Sequence, residues 1–212
     1  IRYETMFIKD QNWNTKWESN FEPVLISGRV YIRAPFHEQK KEYPYEIIIE
    51  PKMSFGTGHH ATTSLMIELM LGSDFRDKKV LDMGCGTGIL AILAEKLGAK
   101  NITAIDIEEW AYANSVENCE KNNSSKISVS RGDVSLIRNQ EFDIILANIN
   151  RNILTTDIPH YSASLKTNGE IFLCGILTED REIINLRAME YGLTYITVVI
   201  QENWLALRYK KN

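Results

Sequence analysis

A chain of 212 residues with 44% hydrophobic and 25% charged side chains can build one α/β core and is too short for two full domains with a linker. Its formal net charge of -4 argues against an electrostatic grip on a long polyanion, so no nucleic-acid partner is expected, while basic protein substrates stay permitted. No apolar run approaches the ~20 residues that span a bilayer, so no membrane partner is expected, and Cys85, Cys119 and Cys174 are scattered without a C-x-x-C, which fits a reducing cytoplasm.

Trp13, Trp17 and Phe21 recur at a spacing of four, which aligns them on one helical face and suits docking of this segment onto the main domain. Pro23 to Ala34 alternates around Ser27-Gly28 and predicts a hairpin. Glu46 to Glu50 reads as a strand stopped by Pro51, followed by a polar, glycine-containing loop from Lys52 to His60 and a helix from Thr62 to Leu71. From Lys79 onward strand and helix alternate, with strands over 79–83, 101–106, 127–131, 142–147 and 169–174 and helices over 89–97, 108–121, 150–165 and 179–191. That alternation implies a parallel, doubly wound sheet with right-handed crossovers. Leu193 to Gln201 and Trp204 to Tyr209 are joined only by Glu202-Asn203, too short for a crossover, so they must pair antiparallel. The expected fold is therefore α/β: a mostly parallel seven-stranded sheet ending in an antiparallel hairpin, with a small β-rich lead-in over 1–50 and the main domain over 51–212.

The most informative segment is Val80-Leu81-Asp82-Met83-Gly84-Cys85-Gly86-Thr87-Gly88-Ile89-Leu90, a strand, a glycine turn and a helix start in succession. Such a turn is expected to bring bare backbone N–H groups and a positive helix end up to a ligand. The dinucleotide fingerprint G-x-G-x-x-G fails, because position 89 is Ile. The pattern D-x-G-x-G-x-G is instead similar to the first motif of the S-adenosylmethionine-dependent methyltransferases. In a doubly wound sheet the ligand lies beyond the carboxyl ends of the central strands. There Gly84, Gly86 and Gly88 can approach the methionine portion of the cofactor. Asp106, in Ile105-Asp106-Ile107, either accepts both ribose hydroxyls or caps the next helix. Asp133, in Gly132-Asp133-Val134, sits where the adenine amine would fall or is simply a turn residue. Asn148, in Ala147-Asn148-Ile149, either orients an acceptor nitrogen as the catalytic amide or caps the helix that starts near 150. Glu50 to Thr63 reads as a loop whose hydroxyls and N–H groups face the cofactor carboxylate, with Thr62 or Thr63 at the helix start. His59-His60 lacks a third ligand at recognisable spacing, and no metal is expected.

Taken together, P-x-x-x-F-G-T-G-x-H-x-T-T, V-L-D-x-G-C-G-T-G-I-L-A-I, A-I-D-I and A-N-I closely resemble the bacterial ribosomal protein methyltransferases of the PrmA type. That family methylates amino groups of the stalk-base protein L-eleven of the large subunit. The resemblance implies S-adenosyl-L-methionine as cofactor, with S-adenosyl-L-homocysteine as product. It implies Thr63, Gly84, Asp106 and Asn148 as cofactor contacts, and Phe55 and Thr57 lining the site. It also implies a cytoplasmic enzyme, expected to be a monomer, and an N-terminal recognition domain that precedes the lead-in and is missing here. Two positions depart from the family pattern: Ala61 stands where Pro is usual, and Asn150-Arg151 where Leu-Ala is usual. Methyl transfer from a sulfonium asks mainly for alignment and a dry site. A lysine acceptor must first be neutral, at a cost of about 4–5 kcal/mol at pH 7 from its reference pKa, and no general base is assigned. The rivals are a methyltransferase for another protein or a small-molecule amine, a nucleobase methyltransferase, an NAD-dependent reductase and a silent binding module. Ile149-Asn150 lacks the proline and aromatic residue a stacked base would want, and the glycine spacing opposes NAD.

Overall fold

The structure, a computed structural model, describes residues 22–52 and 54–212. Trp13, Trp17 and Phe21 lie outside the described residues. The lead-in forms a small sheet of β1 (Val24–Ile26), β2 (Val30–Arg33) and β3 (Tyr45–Ile48), with β1 and β2 antiparallel and β2 and β3 parallel. Ser27 and Gly28, both at positive φ, make the hairpin turn that the sequence predicts.

Next comes α1 (Ala61–Leu71), then β4 (Lys79–Met83), α2 (Ile89–Lys96), β5 (Asn101–Asp106), α3 (Glu109–Lys121) and β6 (Ile127–Arg131). A tight helical turn (Val134–Ile137) leads to β7 (Phe142–Asn148), α4 (Arg151–Ser164), β8 (Leu165–Leu177), α5 (Arg181–Glu190), β9 (Leu193–Gln201) and β10 (Trp204–Lys211). The large sheet has seven strands in the order β6-β5-β4-β7-β8-β10-β9, parallel except for β10, which runs antiparallel to both β8 and β9. The final hairpin thus folds back so that its second strand, not its first, joins the parallel sheet. The fifth of the parallel strands is longer than the predicted 169–174, because β8 starts at Leu165 and passes through a bulge at left-handed Asn168 (φ 63°), a conformation Asn tolerates.

Side-chain alternation explains why these strands sit inside. Val80, Ile144, Leu146, Phe172, Cys174 and Ala206 face one core, while Leu81, Ile145, Ala147, Leu173, Leu205 and Leu207 face the other. The first face packs against α1, α2 and the lead-in residues Ile26, Val30, Ile32 and Ile47. The second packs against α4 through Leu154, Ile158 and Tyr161, and against α5 through Ile184 and Ala188. The lead-in strands therefore share a core with the large sheet.

Candidate active site

The chain leaves β4 for β5 on one side of it, and β7 lies on the other, so the crevice beyond Met83 is the switch point of the sheet. Gly84, Gly86 and Gly88 all hold left-handed φ there (70°, 55° and 79°), which favours glycine. A Cβ on Gly84 would overlap Ile149, and one on Gly86 would overlap the Phe55 carbonyl.

The hydrogen bonding of this turn corrects the sequence expectation of bare N–H groups. Gly84 and Cys85 both donate to the Ile105 carbonyl (2.8 and 3.1 Å), Gly86 to Asp106 Oδ2 (2.9 Å), Thr87 to the Phe55 carbonyl (2.9 Å) and Gly88 to the Cys85 carbonyl (2.8 Å). Each of these donors is already engaged, so the turn offers a ligand its close-packed surface instead. Below it, buried Asp82 accepts the Ala91 N–H at 3.0 Å and ties α2 to β4. Burial pushes the Asp82 carboxyl up to about 7, against the Ala91 bond and with the nearby Asp106 charge.

A cavity of about 270 Å³ opens beside the turn. Asp106, Asp133 and Asp157 supply its acidic groups, and Met83, Ile107, Trp110, Val134, Ile149 and Ile153 its apolar walls. Asp106 Oδ1 accepts from Glu108 N (3.0 Å), yet the N-cap residue of α3 is Glu108, so Asp106 stays at the strand end and lines the cavity. Asp133 caps the tight turn by accepting from Ser135 N (2.9 Å), and its bonds from Ser135 hold its carboxyl below the usual range. It is both a turn residue and part of the cavity wall. Burial raises the pKa of Asp157, which accepts the Tyr161 hydroxyl at 3.3 Å.

A second cavity of about 270 Å³ shares Phe55, Asn148 and Ile149 with the first and adds His60, Thr62, Asn150, Gly175 and Trp204. Asn148 stands between the two. Its Nδ2 reaches Thr62 Oγ1 at 3.5 Å, and its buried Oδ1 has no partner among the described residues. The cap of α4 is Asn150, whose side chain accepts from Ile153 N at 3.1 Å, so capping does not account for Asn148. His60 caps α1 and bonds Thr62 Oγ1 (2.8 Å), and its ring lies 5.0 Å from Trp204 and 5.2 Å from Phe55.

The loop residues divide. Phe55 lines both cavities, whereas Thr57 sits half-buried against His59 (3.2 Å) and lines neither. Thr63 is fully buried behind the wall with Oγ1 unpartnered among the described residues, and Thr62 is the threonine that reaches a cavity. Sequence reasoning missed Trp110, Asp157 and Trp204. Trp110 is the second residue of α3, four positions after Asp106 of the A-I-D-I motif, and that nearness in sequence was the available signal. Asp157 and Trp204 arrive from α4 and from the start of β10, and no local pattern ties them to the turn. Among the described residues no group of three His, Cys, Asp or Glu side chains converges as a metal site.

A parallel sheet with one reversed inner strand near its end and a glycine turn and an acidic strand end at its switch point is the fold of the class I S-adenosylmethionine-dependent methyltransferases. The methyltransferase NodS of Bradyrhizobium japonicum, crystallised with S-adenosyl-l-homocysteine, shares that fold at a TM-score of 0.56 and 20% identity, over 69% of this chain and 83% of that one. The chain matches the family model "Ribosomal protein L11 methyltransferase (PrmA)" over residues 1–212 and belongs to that family. It is 48% identical over 210 residues to the ribosomal protein L11 methyltransferase of Porphyromonas gingivalis, covering 98% of this chain and 72% of that relative. The crystal structure of ribosomal protein L11 methylase from Lactobacillus delbrueckii subsp. bulgaricus superimposes with a TM-score of 0.84 at 26% identity, over 91% of this chain and 100% of that one.

Proposed function

We propose that this chain transfers methyl groups from S-adenosylmethionine to amino groups of ribosomal protein L11, lysine side chains among them, as a monomer in the cytoplasm. Family membership supports the substrate, and the observation that carries the chemistry is the half-buried Asn148, whose buried amide oxygen has no partner among the described residues and which lines both cavities.

The residues of the first cavity fit the cofactor. Asp106 keeps acceptor capacity beyond its two backbone bonds and takes the ribose hydroxyls. Ile107, Trp110 and Val134 give the adenine an apolar bed, and Asp133 or Asp157 accepts from its exocyclic amine. When bound, the cofactor supplies an electrophilic methyl group on a sulfonium with a thioether leaving group. The second cavity takes the acceptor. Phe55, Ile149 and Trp204 give it largely apolar walls, which lower the pKa of an arriving ammonium by desolvation. The neutral amine then donates an N–H to Asn148 Oδ1, which aims its lone pair toward the first cavity. Proton loss to solvent precedes transfer, so no dedicated base is assigned.

Calorimetry with S-adenosylhomocysteine, followed by radiolabelled methyl transfer to purified ribosomal protein L11, tests this reading. One-to-one binding and labelling of the protein are expected, and Asp106→Ala weakens the cofactor by roughly 2–4 kcal/mol through loss of charged hydrogen bonds. Tight NAD binding without response to the sulfur compounds would overturn it, and labelling of free lysine in place of the protein would reassign the acceptor.

A further inference from the structure

Helix α3 carries asparagines at 114 and 118 and ends on a third, the C-cap residue Asn122, all turned toward the lead-in. At the end of β3 and just beyond it, the backbone groups that point away from β2 are those of Ile48 and then Glu50, since Ile49 N bonds back to the Arg33 carbonyl (2.9 Å). Four residues of helix advance about 6.0 Å, and two residues of strand advance about 6.6 Å, so the two rows keep register. Asn122 brackets Ile48, accepting from its N–H (2.9 Å) and donating to its carbonyl (2.6 Å). Asn118 accepts from Glu50 N (2.8 Å), and Asn114 donates to the Glu50 carbonyl (3.4 Å). Side-chain amides thus take the place of a neighbouring strand along the open edge of β3. Ion pairs of Lys121 with Glu50 (3.0 Å) and of Lys52 with Glu117 flank the row.

Asn118 differs from its neighbours in what its other end holds. Its Nδ2 donates to the carbonyl of Thr87, in the glycine turn, at 2.9 Å. Thr87 in turn donates through N to the Phe55 carbonyl (2.9 Å) and through Oγ1 to the Gly56 carbonyl (2.6 Å). A closed circuit results: Asn118 to Glu50, along the chain to Phe55 and Gly56, across to Thr87, and back to Asn118. Asn118 and Thr87 are both fully buried, so these bonds exchange little with water. Phe55 is the loop residue that lines both cavities.

We propose that Asn118 is a positioning residue for the cofactor: by gripping Glu50 and Thr87 together it sets where Phe55 stands over the glycine turn. The inference deepens the methyltransferase reading and rests on it for its functional consequence, while the mechanical coupling stands or falls on its own. In the ligand-free chain, hydrogen exchange of the Thr87 amide reads the coupling directly. Asn118→Leu, and the milder Asn118→Ser should Leu prevent folding, speed that exchange about tenfold or more, while the central-strand amide of Ile145 stays within about threefold. The same variants raise the Kd for S-adenosylhomocysteine and the KM for S-adenosylmethionine about tenfold, with kcat at saturating cofactor nearly unchanged. Asn122→Leu, which releases only Ile48 and the helix carbonyl of Asn118, lowers the melting temperature but leaves both the Thr87 amide and the Kd within about twofold. Unchanged Thr87 exchange in the Asn118 variants overturns the proposal, as does an equal loss of cofactor affinity in Asn122→Leu. A loosened Thr87 amide in a chain whose wild type ignores S-adenosylhomocysteine upholds the coupling and refutes the methyltransferase reading.

Discussion

Asn148 is asked to act on the acceptor, through an oxygen that nothing else in the described chain occupies. Its amide nitrogen touches Thr62 only at 3.5 Å, so truncation disturbs little packing or hydrogen bonding. Asn148→Ala should therefore lower kcat about 100-fold or more, the range for a lost orienting hydrogen bond, while the Kd for S-adenosylhomocysteine rises far less. An equal loss in both would move Asn148 to the cofactor side. Asp82 calls for a different measurement. Its folded pKa of about 7 lies above its ordinary value of 3.8, so the folded chain keeps a proton that the unfolded chain releases. The stabilisation is complete below pH 4 and is lost as pH rises toward 7, by at most about 4 kcal/mol. Asp82→Asn keeps an acceptor for Ala91 N–H and has no charge to bury. Its melting temperature relative to wild type should climb between pH 4.5 and pH 7.5 and then level. A flat difference across that range would mean that Asp82 is already ionised in the folded protein.

The elements that bear chemistry were read from local signals that also fix their geometry. Alternating strand and helix from Lys79 onward predicts the parallel sheet, and the two-residue link at Glu202-Asn203 predicts the antiparallel end. The glycine turn was legible for the same reason: three left-handed positions in five residues admit few alternatives. What its N–H groups bond to was not legible, because Ile105, Asp106 and Phe55 reach the turn from other elements. The asparagines of this row show the same limit, their spacing visible but their partners outside the helix 31 to 74 residues away. Gly86 separates conformation from close approach. Alanine at Gly86 or at Gly28 costs about 1–2 kcal/mol for a left-handed φ, yet a Cβ at Gly28 meets nothing within 4 Å while one at Gly86 overlaps the Phe55 carbonyl. Both variants should lose stability, and calorimetry should show cofactor binding abolished in Gly86→Ala alone. Retained binding there would mean that the loop carrying Phe55 moves aside freely.

At the scale of the whole molecule, the lead-in and the large sheet are bound by one apolar core and by the asparagine row of α3. Ile26, Val30, Ile32 and Ile47 are buried in the same cluster as Val80, Leu93 and Phe172. Such sharing leaves no interface at which β1 to β3 could melt alone without exposing the first face of the sheet, so unfolding should be a single transition. Ile47→Ala provides the test, since Ile47 is fully buried in β3 and far in sequence from the site. Removing it costs about 2–4 kcal/mol, which for a chain of this size lowers the melting temperature by roughly 5–15 °C. The shift should be the same whether followed by near-ultraviolet ellipticity or by hydrogen exchange at Ile32 and at Ile145, because both amides open only with the whole. Saturating S-adenosylhomocysteine should then protect both amides by the same factor, about 100-fold at a hundred times its Kd, although its cavity touches none of the three strands of the lead-in. Protection confined to Ile145, or a separate early transition seen at Ile32, would show that the lead-in folds as a unit of its own.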